Sequence, residues 1–381
     1  EYGLQFPIIK AINAHPALEG YLFVGGAHLD EDFGATKGEI EKDGFAIHAE
    51  VKMTMRHDTL AATAEAIGTG IVSLSESLDA LRPDFFIVYA DRFEGLAAVV
   101  AGTQMGIPTA HIEGGDITEG GALDDSVRHA MTKLSHVHFT TNEEAAGRVR
   151  QLGEEPWRVY NVGFPALDLI AQGNYASPAE LAERYGLDLE RPVLVFTQHS
   201  VTTEFEDAAA QVRPALAAMR RLAAEGVQVI LTYPNNDAGG KAIIAELEKV
   251  AAENIPNIQV HKSLGRRNYH GVLHLCGKAG RGVYAGNSSS GIKETAIFGC
   301  PVVNIGSRQQ GRLRADNVID TQYDQDQIYA ACLKGIHDER WRAHCAQVEN
   351  PYGSGNAGPR IAEILATIDL GPALVQKKMT Y

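Results

Sequence analysis

"GVYAGNSSSGIKE", residues 282–294, holds a whole folding unit in thirteen letters. A short apolar run (282–285) reads as a buried strand, a Gly/Ser-rich turn follows, and the last residues begin a helix. The same rhythm of short apolar run and longer amphipathic stretch recurs in both directions. Strands are expected at 21–25, 85–89, 107–112, 137–141 and 158–162, then at 193–197, 227–232, 258–261 and 301–305. Helical periodicity fills the intervals, as over 94–104, 207–224 and 241–252. Strand and helix in alternation imply parallel sheets covered on both faces, an α/β fold. The stretch "DLIAQGNYAS" (168–177) breaks the rhythm with Gly, Asn and Ser. The chain therefore divides into two Rossmann-like doubly wound domains, 1–168 and 169–359, facing each other across a cleft. The opening "EYGLQFPIIKAI" reads as a loop or helix onset, so a first strand and its phosphate turn are expected to precede Glu1.

The chain has 381 residues, 45% of them hydrophobic and 22% charged, which suits two soluble globular domains. Its 34 basic against 48 acidic residues give a net charge of −14, which argues against binding nucleic acid through its phosphates. An anion must be held by a local cradle. No apolar run reaches the roughly 18 residues of a membrane span, and no secretory signal opens the chain. Four cysteines without a CxxC pair suggest neither a disulfide framework nor a thiolate zinc site. A cytosolic protein is expected.

Polar residues gather just beyond the expected strand ends, where open α/β sheets bind ligands. Asp91 and Arg92 follow one strand, His111 and Glu113 close another, and His199 and Asn235 follow two more. Ser288, Ser289 and Ser290, flanked by Gly286 and Gly291, offer hydroxyls and backbone N–H groups to an anion. Plain helix capping is the alternative, although three serines exceed what a cap requires. "HIEGGDITEGGALDDSVRHAMTKLSHVHF" (111–139) is the densest stretch, with Asp124 and Asp125 at a helix start and Arg128 one turn on. The blander reading makes Asp124 an N-cap on a solvated face. A metal site using His136 and His138 lacks any recognised ligand spacing, so no metal is assigned. His28 and His199 each stand at a strand end and are either structural or part of the same cleft mouth.

These motifs, with "ADRFEGLA", "TQHSVTT", "YPNNDAGGK", "GSRQQGR" and the closing "QKKMTY", resemble the hydrolysing UDP-N-acetylglucosamine 2-epimerases. That family includes bacterial enzymes of sialic-acid-type synthesis and the epimerase half of the bifunctional animal enzyme. The resemblance spans nearly the whole chain. It implies the two-domain GT-B architecture, with residues 360–381 packed back on the N-terminal domain. It implies conversion of UDP-N-acetylglucosamine to N-acetylmannosamine and UDP, by elimination to a glycal and addition of water, without metal or cofactor.

By position, Asp91, Glu113 and Asp124 match the family's catalytic carboxylates. His199, Asn235, Ser288, Ser289, Glu294 and Arg308 match nucleotide-holding residues. Arg92 matches a residue near the diphosphate, Leu264 falls where uracil is contacted, and His28, His111, Arg128 and His136 match other active-site positions. His111 and His199 are counted with the catalytic set, Asp125 and Ser290 with the binding set. Tyr89, Ala90, Asp116 and the loop 118–122 depart from the family near its sugar pocket. They leave open a UDP- or GDP-linked diacetamido-trideoxyhexose of the legionaminic acid pathway. A nucleotide-sugar sensor without turnover is the alternative of another class, but it has no use for three acids. A homodimer or homotetramer is expected.

Overall fold

The computed structural model describes residues 2–29, 37–53, 60–117, 123–235, 237 and 239–381. The chain forms two compact units. Glu1–Asp116, Leu123–Asp168 and Gly355–Tyr381 make the first, and Ile117–Ala122 with Leu169–Ser354 make the second.

In the first unit, β1 (Leu22–Gly25) pairs in parallel with β2 (Ile47–Val51). A four-stranded parallel sheet follows in the order β3 (Phe86–Tyr89), β4 (Thr109–Ile112), β5 (Val137–Thr140) and β6 (Val159–Asn161). Alternation along these strands divides their side chains between two faces. Tyr89, Ala110, Ile112, Val137 and Phe139 pack with Ile8 and with Ala357, Ile361 and Leu365 of the helix Ala357–Thr367. Val88 packs on the other face with Val99 and Met131. The C-terminal segment is fastened here by polar contacts as well. The Asp168 carboxylate accepts N–H bonds from Ala357 (2.8 Å) and Gly358 (2.7 Å), capping that helix. Buried Arg158 donates to the carbonyls of Ala373 and Leu374, both at 2.5 Å. Lys377 Nζ reaches the fully buried Glu154 carboxylate at 2.7 Å.

The second unit holds six parallel strands: β7 (Val193–Thr197), β8 (Gln228–Thr232), β9 (Ile258–His261), β10 (Gly282–Gly286), β11 (Val302–Ile305) and β12 (Val318–Thr321). Their spatial order is β9-β8-β7-β10-β11-β12. That is the doubly wound order 3-2-1-4-5-6, whose direction of winding reverses between β7 and β10. Leu194, Phe196, Val229, Leu231, Val283 and Val303 meet the helices Ala208–Ala224, Gly240–Ala252 and Gln325–His337 in one core. The helix Arg266–Cys276 runs against β7 and β10.

Two strands, β2 and β12, fall outside the sequence expectation. In β2 buried and exposed positions alternate, with His48 and Glu50 turned outward, and β12 is an edge strand carrying exposed Asp320. Neither has the continuous apolar run that marks the central strands. Among the described residues no helix is long and apolar enough to cross a membrane.

Candidate active site

In the first unit the chain turns sharply after two neighbouring strands. Ala90, after β3, has φ 58°, and Glu113, after β4, has φ 69°. A left-handed backbone costs a non-glycine residue roughly 1–2 kcal/mol, so the surroundings must hold both turns. Ala90 N–H donates to the Ile112 carbonyl (2.9 Å), and Glu113 N–H to that of Phe139 (2.8 Å). His111 Nε2–H donates to the Ala90 carbonyl at 2.7 Å, and its Nδ1 stands 3.2 Å from the Thr132 hydroxyl. A carbonyl can only accept, so the Nε2 proton is fixed. Burial holds the ring neutral, its pKa lowered to about 3. Both ring nitrogens are thus engaged inside the unit, and His111 positions the strained turn.

Arg128, 3% exposed, organises the acids. Its guanidinium donates to Asp125 Oδ1 (2.8 Å), to the Asp116 carbonyl (2.7 Å) and to Asp91 Oδ2. Asp116 and Glu113 are buried with it. Asp124 is exposed and is the second residue of the helix Leu123–Leu134, a position inside the helix rather than the N-cap of the blander reading. The loop 118–122 lies outside the described residues.

His28 ends the short helical turn after β1, where burial lowers its pKa against the opposing charge of Glu94. Arg92 Nε donates to Glu94 Oε2 at 3.4 Å. Gly26 (φ 60°) lies so close that a Cβ there would stand 2.7 Å from Glu94 Oε1.

In the second unit His199 and Arg308 bond to Asn287 in the turn after β10, and Asn235 bonds to His199, all at the reversal between β7 and β10. Gly286 ends β10 with φ 132°, and a Cβ there would stand 1.9 Å from the Thr197 carbonyl oxygen. Only glycine allows the two strand ends so close. Ser288 caps the helix Ser289–Lys293, its hydroxyl accepting from Ser290 N–H at 3.4 Å. The Ser290 hydroxyl lies 3.1 Å from that of Ser288 and 2.6 Å from that of Tyr269. His199, just beyond β7, accepts the Asn235 N–H at Nδ1 (2.9 Å). Burial, then the nearby Arg308 charge, lower its pKa to about 3. Arg308 donates to the Asn287 carbonyl at 3.2 Å and stands 3.9 Å from Asp237 Oδ2. The Asn235 side chain donates to that same Asp237 oxygen at 2.5 Å. Leu264 is buried in the loop after β9.

Two further expectations change. His136 stands before β5, near the amino ends of the strands, and its Nδ1 accepts the Thr109 N–H at 3.0 Å. Burial lowers its pKa to about 4, and its place is structural rather than beside Glu113. His138 is taken by Glu154 Oε2 at 3.0 Å, so the pair cannot form the metal site considered above. Among the described residues no group of three metal-ligating side chains occurs. Tyr89, expected near the sugar pocket, packs in the core with Ile112 and Phe139. Glu294 Oε2 is bonded by buried His270 at 3.0 Å. Asn287, Tyr269 and Thr132 escaped the sequence reading. Only Asn287 left a signal, its place inside the Gly/Ser turn.

The chain matches the family "UDP-N-acetylglucosamine 2-epimerase" over residues 10–366. It is 32% identical to the UDP-N,N'-diacetylbacillosamine 2-epimerase (hydrolyzing) of Legionella pneumophila over 381 residues, covering 100% of this chain and 97% of that one. It is 33% identical to the UDP-N-acetylglucosamine 2-epimerase of Neisseria meningitidis serogroup B over 387 residues, covering 99% and 95%. In structure it resembles a UDP-GlcNAc 2-epimerase from Neisseria meningitidis crystallised with UDP-GlcNAc. That likeness has a TM-score of 0.79 at 16% identity, over 95% of this chain and 96% of that one. The chain belongs to the UDP-N-acetylglucosamine 2-epimerase family and is an enzyme of its hydrolysing type.

Proposed function

We propose that this enzyme converts UDP-N-acetylglucosamine and water to N-acetylmannosamine and UDP. The observation that carries the reading is the cluster of acids in the first unit, Asp91 and Glu113 just after strand ends and Asp125 on the helix Leu123–Leu134, with Asp91 and Asp125 tied directly to buried Arg128. The C2–H of an N-acetylhexosamine has no adjacent carbonyl to acidify it, so loss of UDP from C1 leads. The C1–O bond breaks, positive charge spreads over C1 and the ring oxygen, and a base takes the C2 proton to leave a glycal. Water then adds at C1, losing a proton, while C2 is protonated from the opposite face.

Asp91 serves the elimination, and Glu113 and Asp124 handle water and proton in the addition. His199 and Arg308, with the Ser288–Ser290 turn, receive the charge that develops on the departing diphosphate. Asn235 and Glu294 hold the nucleotide, and Leu264 contacts its base. No step calls for a metal. The product would supply sialic-acid-type synthesis. A second reading keeps the chemistry and changes the sugar to a diacetamido-trideoxyhexose, and the name of the Legionella relative favours it.

Purified enzyme incubated with each nucleotide sugar in deuterated water, followed by proton NMR, tests both readings. Release of UDP with deuterium at C2 of a free mannosamine is the expected result. A nucleotide sugar recovered intact after prolonged incubation would refute the reaction.

A further inference from the structure

Asn287 is 1% exposed and sits at the winding reversal, with every polar group engaged. Its side-chain Oδ1 accepts the His199 N–H at 2.7 Å, and its Nδ2 donates to the His199 carbonyl at 2.9 Å. Its own N–H donates to the Thr197 carbonyl at 3.1 Å. Its carbonyl accepts from Arg308 (3.2 Å) and from Gln309 Nε2 (2.8 Å). One residue therefore ties together the ends of β7 and β10 and the segment after β11.

The closed pair of bonds matters because of what His199 does with its ring. A backbone N–H can only donate, so the Asn235 N–H at Nδ1 forces that nitrogen to be the acceptor. The ring is then neutral and its single proton is on Nε2. Nε2 has no hydrogen-bond partner among the described residues. The ring can keep this register only if the His199 backbone stays in place, and the Asn287 amide is what holds that backbone on both sides. Serine, at the neighbouring positions, could not close such a ring, since its one hydroxyl is too short to accept and donate to the same residue's backbone.

We infer that Asn287 is a positioning residue that acts through His199, fixing the backbone so that Nε2–H is presented to an oxygen of a nucleoside diphosphate. The inference rests on the nucleotide-sugar reading above, since it names what receives that proton. An amide fits this task better than a carboxylate, which would accept from the His199 N–H but leave its carbonyl without a donor.

The test is a double-mutant cycle on the full chain, with UDP as the probe and calorimetric titration as the readout. Asn287→Ala and Asn287→Asp are each made in the wild-type and His199→Ala backgrounds. The aspartate variant preserves size, so the cycle can be completed if alanine fails to fold. In the wild-type background each Asn287 change should weaken UDP about tenfold or more, the worth of a hydrogen bond to a charged group. In the His199→Ala background the loss attributable to His199 has already occurred. Asn287→Ala should then cost less than about twofold, and Asn287→Asp should retain only the direct repulsion of its charge. Equal losses in both backgrounds would mean that Asn287 merely braces the fold, and would overturn the inference. So would unchanged binding by Asn287→Ala. Failure of the wild-type enzyme to bind UDP would instead refute the nucleotide reading itself and remove the basis of this one. A supporting outcome is His199→Gln, whose amide N–H reproduces Nε2–H, binding UDP more tightly than His199→Asn; the reverse order would count against the assigned proton.

Discussion

Replacing Arg128 by methionine should unfold the first unit's acid cluster from within. The side chain is 3% exposed and donates to Asp125, to the Asp116 carbonyl and to Asp91. Methionine fills much of the volume but leaves two carboxylates facing each other without their cation. Breaking a buried ion pair by removing one partner costs about 3–5 kcal/mol. Arg128→Lys keeps the charge but not the fork, so it should lose about 1.5–3 kcal/mol for each charged hydrogen bond it fails to make. In Arg128→Met, mutual repulsion would raise the aspartate pKa values in the folded state. The folded variant then takes up protons before the unfolded chain does, so its deficit against wild type shrinks as pH falls toward about 4. Urea unfolding followed by far-ultraviolet circular dichroism, fitted with one transition per unit, measures this at neutral and acid pH. Displaced acids should also lower UDP release about a hundredfold. A deficit under about 1 kcal/mol, or one independent of pH, would refute the account, because buried repelling charges cannot behave that way.

Asp91→Asn should block UDP release, whereas Glu113→Gln should let glycal accumulate beside free UDP; equal loss of both half-reactions in both variants, read by NMR, would refute the division of labour. Gly286→Ala should cost roughly 3 kcal/mol or more, from an unfavourable φ and an overlap that no rotation relieves, and calorimetric melting should show it. Acid should destabilise the first unit in two stages. His111, ordinarily near 6.5 and held at about 3 by burial, favours the unfolded chain as pH falls below 6.5. For Glu154, burial is outweighed by hydrogen bonds from His138, Lys133 and Lys377, which bring it from 4.5 to about 2. Its contribution is present above 4.5 and is lost as pH falls toward 2, so Glu154→Gln should flatten the second stage of a pH series of unfolding curves.

The sequence made the central strands plain because they are buried on both faces and read as unbroken apolar runs. Residues just past those runs drew attention to Asp91, Glu113, His199 and Asn235 by the strand-end rule, and the Gly/Ser turn before a helix drew attention to Ser288. The rule has a direction that letters do not display. His136 and His138 are two residues apart on one segment, yet His136 precedes β5 and bonds Thr109, while His138 pairs in register with His111. The left-handed turns were hidden because Ala90 and Glu113 are not glycine, and their φ values are imposed by hydrogen bonds from elsewhere in the sheet. The choice between Asp124 and Asp125 was similarly invisible. Neighbours on a helix point about 100° apart, and only the position of Arg128, one turn on, decides which acid is buried. Tyr89 looked like a pocket residue because it departs from the family pattern just before Asp91, but its ring packs in the core of the first unit with Ile112 and Phe139.

A chain with a net charge of −14 repels a nucleoside diphosphate at long range, and on the proposed reading the second unit answers this with short-range means. Ser288 and Ser290 are neutral, and His199, with its pKa lowered to about 3, remains neutral as well. Arg308 adds a positive charge whose field Asp237, 3.9 Å away, partly offsets. Affinity should therefore come from oriented dipoles in a partly desolvated crevice rather than from a cationic patch. Salt discriminates the two. A site that held the diphosphate with several exposed cations would lose affinity steadily between about 0.05 and 0.2 M salt, because screening weakens exposed charge pairs. UDP binding here should change by less than about threefold over that range, since added salt screens the repulsive field as well as the Arg308 attraction. It should also gain nothing as pH is lowered from about 8 to 5, because His199 takes up no proton in that interval, whereas the terminal phosphate of UDP, titrating at about 6, loses charge. A steep loss with salt, or tighter binding on acidification, would show that an imidazolium or an unrecognised basic surface holds the diphosphate, and the neutral cradle would have to be abandoned.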